Sequence, residues 1–192
     1  MSQPFTKITA GKYKGKALEL PSLDVTRSSK SILKGSVFDS LQYDIIDKIF
    51  VEAFAGSGSM GLEALSRGAK KAIFVEKDRE SYNVLVRNCK RVDPNNCTML
   101  LGDAFAQIPN IAKNFSSSKN EVIFYFDPPF SYRENMDEIY QKCFDLTNSL
   151  NKSQTFLIIF EHMSQLEMPE VLGDFVFQKL RKFGKSSLSY YA

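Results

Sequence analysis

The chain predicts an α/β fold, a doubly wound and mostly parallel sheet, on three observations. Strand-sized apolar runs alternate with helix-period segments from about residue 43 onward, and glycines follow the first such run in the order G-x-G-x-x-G at Gly56, Gly58 and Gly61. Acidic residues also recur where successive runs end, at Glu52, Glu76, Asp103 and Asp127. At 192 residues the chain has room for one well-cored domain and a small appendage, but not for two full-sized domains. Its 43% hydrophobic and 24% charged residues are ordinary for a globular protein.

The elements follow in order. Residues 6–20 suggest a hairpin, with Ile8 and Ala10 on one limb, Ala17, Leu18 and Leu20 on the other, and Gly11 to Gly15 turning between them. From Ser29 or Ser31 the spacing of Ile32, Leu33, Val37, Phe38 and Leu41 predicts an amphipathic helix that packs this arm onto the main domain. Ile45, Ile46, Ile49, Phe50 and Val51 lead into the glycine turn, and the following helix is expected to stop at Gly68. Ala72–Val75 reads as a second strand, followed by a helix capped by Asp78 with Tyr82, Leu85, Val86 and Cys89 on one face. Thr98–Leu101 is a third strand, and the helix after it carries Phe105, Ile108, Ile111, Ala112 and Phe115, with an interruption expected near Pro109. Ser116–Asn120 reads as a polar loop. The apolar stretches Val122–Phe126 and Phe156–Phe160 read as strands buried on both faces, with a helix striped by Met136, Ile139, Tyr140, Cys143, Phe144 and Leu150 between them. Phe175–Leu180 and Ser187–Tyr191 form a closing pair around Gly184.

Two stretches carry candidate chemistry. The glycine turn permits close approach of a ligand to the backbone, and a nicotinamide dinucleotide, a flavin or S-adenosylmethionine would each fit such a crevice. Glu76 follows Gly56 at the distance where a carboxylate accepts hydrogen bonds from ribose hydroxyls. Asp103 suits an adenine amino group and equally a helix N-cap. Asp127-Pro128-Pro129-Phe130 is more specific, because the prolines remove two N–H donors and leave the carbonyls of Asp127 and Pro128 as acceptors. Two acceptors aimed at the hydrogens of a nucleobase amine turn its lone pair toward an incoming methyl group, and Phe130 can stack on a base that has left its helix.

Charge is uneven. Residues 1–34 carry seven basic and two acidic side chains, a net of +5, while the rest of the chain is −2. Such asymmetry fits a polyanionic partner and equally a solvated lysine-rich hairpin, and Lys12, Lys14, Lys16, Arg27 and Lys30 are the candidate RNA contacts on the first reading. Three cysteines with no C-x-x-C spacing and a single histidine support neither a disulfide framework nor a metal site. With neither a signal peptide nor a membrane segment in the sequence, the expectation is a cytoplasmic protein.

FAGSGSMGLEAL after the first strand, DPPF after the fourth, and ITAGKYKGK with the following Arg27-Ser28-Ser29 resemble the bacterial RsmD-type 16S ribosomal RNA guanine-N2 methyltransferases. The resemblance spans nearly the whole chain. It implies a Rossmann-like class I methyltransferase fold with an antiparallel last strand, S-adenosyl-L-methionine as cofactor, and an RNA-holding extension at residues 1–42 before a catalytic domain at 43–192. Carried over by position, Glu52, Phe54, Ala55, Gly56, Ser57 and Gly58 face the methionine end of the cofactor, Glu76 the ribose, Asp103 the adenine, and Asp127 to Phe130 the target base, with Lys77 and Ala104 as further cofactor-binding residues. The implied partner is 16S rRNA in the small subunit or its assembly intermediate. An adenine-N6 methyltransferase, a nicotinamide-dependent oxidoreductase and a non-catalytic assembly factor are the alternatives. Ala10, Ser28 and Gly35 depart from the family pattern.

Overall fold

Apolar runs with no polar interruption pair side by side, since only a strand covered on both faces tolerates such a composition. In the computed structural model, which describes residues 4–21, 27–115, 119, 121–129 and 136–192 and omits the side chains of 27–30, 136 and 137, these runs form an eight-stranded sheet. Its parallel part is β3 (Ile49–Glu52), β4 (Lys71–Glu76), β5 (Cys97–Leu101), β6 (Val122–Phe126) and β7 (Thr155–Met163). The remaining strands are β8 (Val171–Leu172), β9 (Phe175–Phe183) and β10 (Ser186–Tyr191), giving the order β5-β4-β3-β6-β7-β10-β9-β8. The last strand, β10, inserts between β7 and β9 and runs antiparallel to both. Central β6 is buried at all five positions, whereas edge strand β5 is only half-buried.

Alternation along the strands divides the apolar side chains into two cores. Phe50, Phe74, Tyr125 and Ile159 face α1 (Arg27–Leu41), α2 (Ser59–Ser66), α3 (Arg79–Val92) and the small hairpin of β1 (Phe5–Lys7) and β2 (Ala17–Glu19). Val51, Val75, Phe124 and Phe160 face α4 (Ala104–Lys113) and α5 (Met136–Thr147).

Several expected details differ. The first strand begins at Ile49, because a 3-10 turn at Gln42–Ile45 consumes the apolar residues before it and leaves Ile46 exposed. In α1 the buried face is Leu33, Val37, Phe38 and Leu41, and Ile32 points outward at 59% exposure. The buried stripe of α3 runs through Ser81, Val84, Leu85, Asn88, Cys89 and Val92, so Tyr82 and Val86 sit at its margin. Pro109 does not interrupt α4. Its missing N–H costs the Phe105 carbonyl one partner, at most about 3 kcal/mol. Burial of Ile108 and Ile111 at about 1.5–3 kcal/mol each outweighs that cost. Ser116–Ser118 and Asn120 of the expected polar loop lie outside the described residues.

The N-terminal arm is bolted to α2. Glu63, fully buried, accepts hydrogen bonds from the Thr9 backbone N–H (2.8 Å), the Thr9 hydroxyl (2.6 Å) and the Ala10 N–H (3.1 Å). Arg67 Nε at 2.9 Å and Lys34 Nζ at 3.4 Å complete the cluster. Gly11 closes the contact, since a Cβ there would overlap the Ser66 carbonyl, to which Lys12 donates its N–H at 2.7 Å. Ile8 and Leu18 enter the same core as Phe50 and Tyr125, so the hairpin contributes to the main core.

Candidate functional site

Parallel strands deliver their carboxyl ends to one edge of the sheet, where the connections to the following helices leave a crevice. Here that crevice is a cleft of about 1380 Å³, lined at one end by the glycine turn, Glu76 to Asp78 and Gly102 to Phe105, and at the other by Asp127, Pro128, Pro129 and Glu161. Small-molecule sites run to roughly 300–1,000 Å³, so the cleft has room for two occupants side by side.

The glycine turn works as its spacing predicts. Gly58 takes a left-handed backbone (φ 76°) as the N-cap of α2, and a Cβ on Gly61 would fall 2.3 Å from the Phe74 ring. Helix α2 therefore lies directly on β4. Beneath the turn Glu52, 4% exposed, points its Oε2 at the Gly61 N–H at 2.8 Å. The protein's own carboxylate thus occupies a donor in the first turn of α2, the place where a bound anion would otherwise sit.

Glu76 lies at the carboxyl end of β4, with one oxygen accepting from the Gly56 N–H at 2.6 Å and the other from the Asp78 N–H at 2.7 Å. It ties the glycine turn to the next loop, and a carboxylate with about four lone-pair sites retains acceptor capacity toward a ligand. Asp103 caps α4 through the Phe105 N–H at 2.9 Å and receives Lys77 Nζ at 2.9 Å. The Lys77 contact, helped by the Phe105 N–H, holds its carboxyl below the usual range. Both of its sequence readings are geometrically open, because the carboxylate caps the helix and still lines the cleft. Ala104 and Phe105 close this end, with Phe105 edge-on to Phe54 at 5.8 Å between ring centres.

Across the cleft, Pro128 is buried and Pro129 exposed directly after β6; Phe130 lies outside the described residues. Two residues absent from the sequence-based candidates stand beside them. Glu52, Tyr125 and Ile159 are level neighbours on β3, β6 and β7, and the register ends on Phe126 beside Phe160. Asp127 and Glu161 are the next residue of each chain segment after that last pair, and both line the cleft. Tyr125, whose side chain shares their face, donates its hydroxyl to Glu161 Oε2. Burial, then the charges of Glu161 and Asp127, push the Tyr125 hydroxyl well above its ordinary pKa, so it keeps its proton. A signal for Glu161 was present in the sequence: it terminates the fifth apolar run as Glu52, Glu76 and Asp127 terminate theirs.

The basic candidates are dispersed. Lys12 and Lys16 flank the Tyr13 ring at 5.0 and 4.8 Å, and Lys16 also donates to the Arg91 carbonyl at the end of α3. With Lys14 they sit on the hairpin turn at the helix C-termini, while α3 begins at the cleft and spans 14 residues. That places the turn lysines about 20 Å from the cleft. Arg27 and Lys30 belong to α1, but their side chains lie outside the described residues. A second basic surface lies on the β9–β10 hairpin, where Lys179, Arg181, Lys182 and Lys185 form no ion pair among the described residues and Lys185 reaches the cleft.

No group of three or more potential metal ligands occurs among the described residues, and none of their helices is long and apolar enough to cross a membrane.

Among known proteins, the chain is 26% identical to Bacillus subtilis YlbH, named as a candidate rRNA methyltransferase, over 96% of this chain and 97% of that protein. It is 29% identical to the Escherichia coli Ribosomal RNA small subunit methyltransferase D over 65% of this chain and 60% of that protein. The fold matches that of Escherichia coli yhhF, described as a candidate methyltransferase, with a TM-score of 0.77 at 23% identity over 98% and 97% of the two chains. It also matches M. jannaschii TYW2, solved in complex with AdoMet, with a TM-score of 0.56 at 14% identity over 100% and 86%. Since the family model described as Conserved hypothetical protein 95 matches residues 6–192, the chain belongs to that family, the RsmD-type methyltransferases.

Proposed function

We propose that this chain transfers a methyl group from S-adenosylmethionine to the exocyclic N2 amine of a guanine in 16S rRNA, within the small subunit or its assembly intermediate. The observation that carries the cofactor reading is the Glu52 carboxylate at the N-terminus of α2. Dinucleotide folds leave that terminus open for a pyrophosphate, whereas a buried carboxylate there repels an anion and favours a cation. Among the described residues the cleft is lined by six carboxylates (Glu52, Glu76, Asp78, Asp103, Asp127 and Glu161) against three ammonium groups (Lys34, Lys77 and Lys185). S-adenosylmethionine, when bound, supplies an activated methyl group on a positively charged sulfur, which suits this field.

The chain's own residues then perform the positioning. Glu76 and Asp103 are the acceptors assigned to the ribose and adenine, and Phe54 to Gly58, with Glu52, take the methionine end. Asp127 and the Pro128 carbonyl hold the hydrogens of the target amine so that its lone pair faces the methyl group. The N–C bond forms as the S–C bond breaks, the electron pair stays on sulfur, and the amine releases a proton that has become acidic. Orientation supplies most of the acceleration, since no stronger nucleophile has to be generated. The basic arm, with Lys12, Lys14, Lys16, Arg27 and Lys30, and the Lys179–Lys185 hairpin supply phosphate contacts on either side.

Calorimetry tests the cofactor: micromolar S-adenosylmethionine binding with no NADH binding is expected, and the reverse would overturn the reading. Mass spectrometry of nucleosides from treated small-subunit rRNA should find N2-methylguanine, and N6-methyladenine alone would remove the guanine assignment. Asp127→Ala should nearly abolish turnover with little change in either affinity, because its contact strengthens in the transition state.

A further inference from the structure

We propose that Glu161, held by Tyr125, reads the N1–H of the target guanine and thereby excludes adenine; this rests on the guanine reading above. The Asp-Pro-Pro turn does not itself distinguish the two purines, since either one presents an exocyclic amine. They differ at the ring atom next to that amine. Guanine N1 carries a hydrogen, so the N1 and N2 edge is an unbroken row of donors. Adenine N1 is a lone-pair acceptor beside its N6 amine.

The register supplies an acceptor for each position. Asp127 and Glu161 are the residues that follow the last β6–β7 pair, Phe126 and Phe160, and both line the cleft. A base whose amine sits at Asp127 thus presents its adjacent ring nitrogen to Glu161. Glu161 is 4% exposed, and a carboxylate so buried is costly unless donors meet it. Tyr125 provides one such donor through its hydroxyl. Because the Tyr125 hydroxyl retains its proton, it donates to Glu161 Oε2 and orients the carboxylate. An adenine lone pair would then face a carboxylate with no hydrogen between them, a direct repulsion that removes the wrong base.

The test first locates the guanine that the wild-type protein methylates in small-subunit rRNA. An RNA fragment is then made with guanine or 2-aminopurine at that position. The analogue keeps the N2 amine but has an unprotonated N1. Wild-type kcat/KM should favour guanine by on the order of 10- to 100-fold, the scale of one base-edge contact. Glu161→Gln, whose amide can donate to an unprotonated N1, should lose most of its rate on guanine and gain relative to wild type on 2-aminopurine, so that the ratio falls toward one. Tyr125→Phe should lower the same ratio by a smaller factor. Any loss of S-adenosylmethionine affinity in Glu161→Gln, read by calorimetry, should be the same with either RNA, so that the ratio of the two bases reports the N1 contact alone. A wild-type ratio near one overturns the inference without any variant, and so does a Glu161→Gln protein that is slower by the same factor on both bases. Either result leaves the methyltransferase reading standing. If the wild-type protein methylates no guanine, both the inference and the guanine reading fall.

Discussion

Replacing Glu76 with alanine should weaken S-adenosylmethionine binding by two routes that can be measured separately. In the structure its two oxygens accept the Gly56 and Asp78 backbone N–H groups at 2.6 and 2.7 Å, so the side chain is a strut between the glycine turn and the next loop. Under the proposed function it also accepts from the ribose. A hydrogen bond to a charged group contributes about 1.5–3 kcal/mol. Glu76 is only half-buried, which puts the ribose contact at the lower end of that range. Loosening of the turn adds to this, because a ligand must then order the backbone at its own expense. A total of about 2–4 kcal/mol corresponds to roughly 30- to 800-fold in the dissociation constant. Calorimetry gives the total, and hydrogen exchange in cofactor-free protein isolates the strut through faster exchange at Gly56 and Asp78. Unchanged affinity would refute the ribose assignment and the need for an ordered turn together. Faster exchange with an affinity loss below threefold would leave Glu76 a purely structural residue.

Glu63→Ala should cost about 3–5 kcal/mol in denaturant unfolding, the scale of breaking a buried ion pair, since it leaves Lys34, at 3% exposure, with the Lys7 carbonyl but without this counter-charge and strands two backbone N–H groups; a loss under 1 kcal/mol would mean that the arm is held elsewhere. Combined Arg181, Lys182 and Lys185 to alanine should weaken binding of small-subunit rRNA and reduce its salt slope by about 2–3, with S-adenosylmethionine affinity unchanged; an unchanged slope would confine the RNA to the arm. Stability should fall as pH drops from 7 toward 3. Burial lowers the pKa of His162, so below its ordinary range the unfolded chain takes up a proton that the folded chain refuses. Glu63, whose carboxyl is lowered by Thr9, Lys34 and Arg67 against the opposing effect of burial, contributes stability that is complete above the ordinary carboxylate range and lost as pH falls through its folded value. A thermal midpoint independent of pH from about 7 to 5 would contradict the His162 assignment, and one independent of pH from about 5 to 3 the Glu63 assignment.

What could be read from the sequence was whatever depends on a period or on a strand end. Val122–Phe126 is a strand because nothing polar interrupts it, and Gly61 had to be small because its helix lies on a ring of the next strand. Glu161 obeyed the same strand-end rule as Glu52 and Glu76, yet β7 continues past it to Met163, so the end of the apolar run and the end of the strand do not coincide. Glu63 was opaque for a different reason. A glutamate in a helix reads as a solvent-facing residue, and its partners Thr9 and Ala10 lie more than fifty positions away. Segment charge misled in the same way: averaging over residues 35–192 gives −2 and hides the basic cluster from Lys179 to Lys185.

Helix α2 connects these observations. At eight residues it is about 12 Å long, well below the length at which an isolated helix is stable in water. It persists because both ends are held. Glu52 occupies a donor of its first turn, while Glu63 and Ser66 in its second half are gripped by Thr9, Ala10, Lys12 and Tyr13 of the arm. The glycine turn is the N-terminal approach to this same helix, so its geometry depends on contacts made at the opposite end. The arm therefore has a role beyond any contact with RNA. The lysines of its hairpin turn, Lys12, Lys14 and Lys16, lie far from the cleft, but its backbone orders the element on which the cofactor-facing turn is built, which is why a segment distinct in charge still shares the core of the sheet.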